Sequence, residues 1–132
     1  MAGIDNKQTM QAVLERFVQK ITTDPELANR CKGIKVSLGY ELNDLGLNFY
    51  TNFDDGTIIA GLGQPAQPSS IVLEMDAETF DGMMTGEVDV ASAAISGKLS
   101  FSGDIMSGMR LQVLQDDMTR VYQAARSEVI NS

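Results

Sequence analysis

The chain has 132 residues, 43% of them apolar, with one cysteine, no histidine and a formal net charge of −8. The length suits one domain, read as 1–132, with its own core, while the missing histidine excludes imidazole catalysis, a Ser–His–Asp triad and a histidine-ligated metal. The lone Cys31 excludes an intrachain disulfide and a cysteine-only metal site, and the acidic balance argues against a nucleic-acid partner.

The opening residues MAGIDNKQTM lack the basic-then-apolar order of a signal peptide. No run approaches the roughly 18 apolar residues of a membrane span. The expected setting is therefore cytoplasmic, without integral membrane association. Met10, Val13, Leu14, Phe17, Val18 and Ile21 recur at helical spacing and predict an N-terminal helix over about 5–22. Asp5 or Thr9 is its candidate cap, and Asp24-Pro25 closes it in a turn.

From residue 34 the apolar period changes to two. Val36, Leu38, Tyr40 and Leu42 alternate with polar or small residues, and Leu45, Leu47 and Phe49 repeat the pattern after Asn43-Asp44. Asp54-Asp55-Gly56 is a hairpin signal leading into a third strand, so 34–62 predicts an antiparallel meander. Residues 61–70, GLGQPAQPSS, read as a loop. Ile71, Leu73 and Met75 predict a fourth strand, and Asp76 or Ala77 starts a short helix broken at Gly86. A second short helix is expected over 88–95 and a fifth strand over 98–102, completing a region of sheet and short helices over 34–103. A final helix over about 104–129 carries Leu111, Leu114, Met118, Val121, Tyr122, Ala125 and Val129 on one apolar stripe. The fold class is α+β, with helices segregated around a largely antiparallel sheet.

Five of the eight methionines, Met75, Met83, Met84, Met106 and Met109, fall between residues 75 and 109, interspersed with Gly82, Gly86, Gly97, Gly103 and Gly108. Methionine adapts to irregular apolar space, and glycine weakens the helices around it. Two readings stand: these residues plug a small core, or they line a cavity open to an aliphatic guest. Arg110 has a similar choice. It pairs with Asp104 or Asp117, or its planar fork meets a ligand carboxylate or phosphate. The remaining motifs are weak. Gly61-Leu62-Gly63 lacks dinucleotide-fingerprint spacing, Glu41, Asp44, Asp54 and Asp55 lack calcium-loop spacing, and Glu74 with Asp76 reads as a solvated edge. No cofactor and no metal are expected.

Residues from 10 to about 114 resemble the sterol-carrier-protein-type-2 domain family, a sterol- and lipid-binding module. The resemblance rests on the meander ending in Asp54-Asp55-Gly56, the segment ETFDGMMTGEVD, and above all AAISGKLSFSGDIMSGMRL. It implies a five-stranded, largely antiparallel sheet covered on one face by helices, with an apolar tunnel between them. It implies non-catalytic binding or carriage of fatty acids, fatty acyl thioesters, sterols or similar apolar molecules. Phe80, Met83, Met84, Val90, Ile95, Met106 and Met109 would line the tunnel, over a floor of Leu73, Met75, Leu99 and Phe101, with Arg110 at its mouth. The chain resembles small stand-alone bacterial members, and its last residues, Ile130-Asn131-Ser132, are not a peroxisomal tripeptide. The long last helix would cap the tunnel or form a homodimer face through Val121, Tyr122, Ala125 and Val129. Two other readings remain open: an accessory enzyme using Glu74, Asp76, Asp81 or Asp104 as acid or base, and an interaction module with a collapsed pocket.

Overall fold

The computed structural model describes residues 6–104 and 112–130. Its first helix, α1 (Lys7–Ile21), begins where the Asn6 side chain accepts hydrogen bonds from the backbone N–H groups of Gln8 and Thr9, at 2.8 and 3.4 Å. Asn6 therefore does the capping expected of Asp5 or Thr9, and Asp5 lies outside the described residues. Met10, Val13, Leu14, Phe17 and Ile21 are buried as the stripe predicts, with Val18 half-buried at its margin. Asp24-Pro25 also opens a helix that the periodicity did not announce, α2 (Pro25–Arg30). Asp24 accepts from the Leu27 N–H at 3.0 Å, and Pro25 sits in the first turn, where its missing N–H leaves nothing unpaired. A six-residue helix with one buried side chain, Leu27, is too short to show a period.

Strands β1 (Lys35–Leu42), β2 (Leu47–Asp54) and β3 (Thr57–Leu62) form the expected antiparallel meander. At the second turn Asp55 and Gly56 both have positive φ, 47° and 93°, as in a primed two-residue turn that follows the strand twist. Strand β4 (Ile71–Met75) lies on the other side of β1 and runs parallel to it, and β5 (Leu99–Gly103) pairs antiparallel with β4. The order is β3-β2-β1-β4-β5. The single parallel pair follows from connectivity. The chain leaves β3 at one edge, and residues 63–70 carry it past β2 and β1 before it can pair again.

Helix α3 (Ala77–Thr85) is capped by Asp76, which accepts from the Thr79 N–H at 2.7 Å, and it ends at Gly86 in the left-handed region, φ 85°. Helix α4 (Val90–Ile95) is capped by Asp89 through Ser92. The last helix, α5, is described from Gln112 to Ile130. These helices and the inner sheet face share one core. At its centre Tyr40 and Phe49 stack at 4.3 Å, Phe17 and Phe80 meet this pair edge-on, and Tyr122 packs edge-on against Phe17 and Phe80. Val121, Tyr122 and Ala125, the candidate dimer face, are buried within the chain itself, with α5 lying against α1 and α3.

Candidate functional site

Sheet register sets the site. Side chains pointing to the helices form rows across the strands, because every partner pair shares a face. One row runs Leu62, Phe49, Tyr40, Leu73, Phe101, and the next runs Leu47, Leu42, Met75, Leu99. Cover over the first row is uneven. Phe49, Tyr40 and Leu73 are sealed, Leu73 retaining 7% of its surface, whereas Phe101 is 54% exposed on the same face. Among the described residues, the helical layer thus leaves Phe101, on the β5 side of this apolar face, half exposed.

Three predicted site residues lie beside that row: Leu73, Met75 and Leu99 are buried neighbours on β4 and β5. On α3, Phe80 and Met84 are buried in the shared core and Met83 is half-buried against it. From α4, Val90 is partly exposed and Ile95 is 88% exposed, so Ile95 stands outside the packed interior. Met106, Met109 and Arg110 lie outside the described residues. Phe80 has a double role: its ring lies 5.9 Å from Tyr40, 5.4 Å from Phe49 and 5.3 Å from Tyr122, so it closes the interior on the side away from β5. The middle of the helix–sheet interior is packed with rings; its β5 side is framed by aliphatic and methionine side chains.

A polar network holds this frame. The Asp81 carboxylate accepts the Tyr122 hydroxyl at 2.8 Å and a fork from Arg126, with Nε at 2.8 Å and Nη2 at 3.1 Å. It ties α3 to α5 directly behind Phe80 and Met84. Burial, reinforced by the Asp81 charge and hydrogen bond, pushes the Tyr122 phenol far above its ordinary range. The hydrogen bond from Arg126 to Asp81 likewise holds the guanidinium more firmly protonated. Burial raises the Tyr40 phenol to about 12, the Thr51 side chain offsetting it in part. Both phenols therefore stay neutral. Sequence reasoning missed this network because its members are 41 and 45 residues apart. A carboxylate between Phe80 and Met84, within the apolar stretch of the helix, was the available signal.

The other carboxylates stand in ordinary structural roles. Glu74 is exposed on the opposite sheet face, Asp76 caps α3, Asp104 is exposed, and Asp44 accepts from the Ala77 N–H at 2.9 Å. Asp55 accepts from the Gly33 N–H at 2.7 Å, and Asp54 faces Lys35. Among the described residues no group of three or more acidic, cysteine or histidine side chains is placed to hold a metal ion. Gly61-Leu62-Gly63 ends β3 and enters the 63–70 segment rather than a helix. No helix among the described residues is long and apolar enough to cross a membrane.

Comparison with known proteins gives a consistent family. Residues 14–116 match the model of the SCP-2 sterol transfer family. A stretch of 71 residues, 54% of the chain, is 30% identical to hydroxysteroid dehydrogenase-like protein 2 of Xenopus tropicalis, of which it covers 17%. The chain spans about a fifth of the length of the curated relatives it matches. Among solved structures, the fold is shared with a conserved hypothetical protein of Thermus thermophilus, described as possibly a sterol carrier protein, at TM-score 0.71 and 15% identity over 95% of this chain and 92% of that one. It is also shared with sterol carrier protein 2, at TM-score 0.65 and 16% identity over 85% and 94%.

Proposed function

The chain belongs to the SCP-2 sterol transfer family, and we propose on that premise that it binds and carries an apolar guest at the β5 side of its helix–sheet interior. The guest is a fatty acid, fatty acyl thioester, sterol or similar molecule. The observation that carries this reading is the apolar row that runs from sealed Tyr40 and Leu73 to half-exposed Phe101. Leu73, Met75, Leu99 and Phe101 form the floor in this reading, and Met83, Met84 and Phe80 form the wall. Methionine on that wall suits guests of differing shape, because its unbranched chain repacks at little cost.

Burial alone supplies enough free energy. A guest losing about 300 Å² of apolar surface gains roughly 7 kcal/mol at 25 cal/mol per Å². Association costs of several kcal/mol come out of that gain, so micromolar binding, about −8 kcal/mol, calls for a longer guest that buries about 500 Å². The enzyme reading gains nothing from the carboxylates. Both oxygens of Asp81 are already engaged by Tyr122 and Arg126, and Glu74 projects from the other face.

The test is displacement of a fluorescent fatty acid from the Phe101→Glu variant. Phe101 is exposed enough that the fold should tolerate the change, and a charge on the floor should weaken binding about tenfold or more. Native circular dichroism with undiminished affinity would remove the site from this face.

A further inference from the structure

The opposite sheet face carries a groove, and it touches the apolar row only at Tyr40 and Phe49, whose register turns their side chains to the helical face. Residues 63–70 pass over this face and roof a groove of about 400 Å³ above β1, β2 and β4. Its floor is made by glycine placement. Gly39, Tyr50 and Gly61 are partners in one row of this face. The Tyr50 ring leans over Gly61, where an added Cβ would stand 2.7 Å from its hydroxyl, and Gly39 lets the roof approach closely, since a Cβ there would stand 3.0 Å from the Ser69 hydroxyl. Pro65 and Pro68 stiffen the roof, and Val72 and Ser69 close the β4 side.

The lining has a definite chemistry. Glu41, Asn48, Gln64 and Ser69 line the groove, and among the described residues their side chains make no hydrogen bond to another protein group. Glu41 supplies the ionised group of this lining, and its partner on β4 is a second carboxylate, Glu74. No lysine or arginine among the described residues forms an ion pair with either. Two carboxylates side by side repel and draw a positive charge from outside the chain. The prolines and Val72 provide apolar surface for a short carbon skeleton, and the volume lies at the low end of small-molecule pockets.

We propose that this groove binds a small organic ammonium compound, its cationic nitrogen on Glu41 and its methylenes under the Pro65–Pro68 roof. The site is independent of the apolar guest on the helical face, since a five-stranded sheet separates the two.

The probe is 1,4-diaminobutane, with 1,4-butanediol as its neutral counterpart, each titrated into the isotopically labelled protein and followed by backbone amide shifts. The diamine should produce saturable shifts at Gly39, Glu41, Asn48 and Val72, and the diol should not. Glu41→Gln should weaken the diamine about tenfold, as loss of a charge-assisted hydrogen bond does. Glu15→Gln, an exposed carboxylate on α1, should leave it unchanged. Equal weakening by both variants would reduce the effect to diffuse attraction by an acidic protein and overturn the proposal. Equal binding of the diol, or absence of saturable shifts, would overturn it too. Fatty-acid uptake should be the same in Glu41→Gln and the parent; loss of both ligands together would overturn the independence of the two sites.

Discussion

Asp81 is the residue whose removal the interior should feel most. It is buried, and its charge is met by Arg126 and its second acceptor demand by Tyr122, so truncating either side strands a polar group. Tyr122→Phe removes one hydrogen bond and keeps the ring contacts with Phe17 and Phe80, for an expected loss of about 1 kcal/mol. Asp81→Asn takes away the charge facing Arg126 and should cost about 2 kcal/mol, less than a fully buried pair because Arg126 reaches solvent in part. Urea denaturation of the two single variants and the double variant measures both figures. Strict additivity would show that Tyr122 and Asp81 are not coupled. Gly103 shows what a residue type conceals. Glycine there was legible as a turn or a close approach, and the structure gives the cause: an added Cβ would lie 2.1 Å from the Ser70 carbonyl oxygen, at φ 112°. The contact joins residues far apart in sequence, so no local pattern specifies it.

At the scale of elements, α2 and α5 are joined by an ion cluster. Arg120 donates to both oxygens of Asp24, at 3.2 and 2.7 Å, and to Asp117 at 3.4 Å, and Arg30 reaches Asp117 at 2.5 Å. The hydrogen bond from Arg120, helped by the Leu27 N–H and opposed by desolvation, holds the Asp24 carboxyl below its ordinary value of 3.8. A depressed folded-state pKa stabilises the protein above the unfolded value, and that stabilisation is lost as pH falls through the lower, folded value. Because Arg120 is nearly half exposed, the contribution is about 0.5–1 kcal/mol. Asp24→Asn keeps the cap on α2 and removes the charge. It should lower stability at pH 7 and match the parent once the pH is well below 3.8, as denaturation at the two pH values would show. A gap that persists in acid would assign the role of Asp24 to capping alone. Helix α2 itself was illegible because its one buried side chain carries no period, although Asp-Pro is also a helix start.

At the scale of the molecule, the packing is asymmetric. The aromatic centre joins α1, α3 and α5 to β1 and β2, while the β5 side has a six-residue helix, a five-residue edge strand and the exposed side chains of Phe101 and Ile95. Local opening follows thin packing. Amide hydrogen exchange should be slowest in β1 and β2 and fastest in α4 and β5, and a bound fatty acid should slow exchange in α4 and β5 selectively. Uniform protection by the ligand would place it elsewhere. The sequence by itself determined the α+β class, the meander, the primed turn at Asp55-Gly56 and the apolar faces of Leu73, Met75, Leu99 and Phe101, because each is written in a local period of two or 3.6 or in a turn residue. Tertiary structure alone decided the parallel β1–β4 pair, the Asp81–Tyr122–Arg126 tie, the burial of the α5 stripe within the chain, and the half-open state of Phe101. Each of these depends on which distant segments meet, and a period records only which face of an element is apolar, not what covers it.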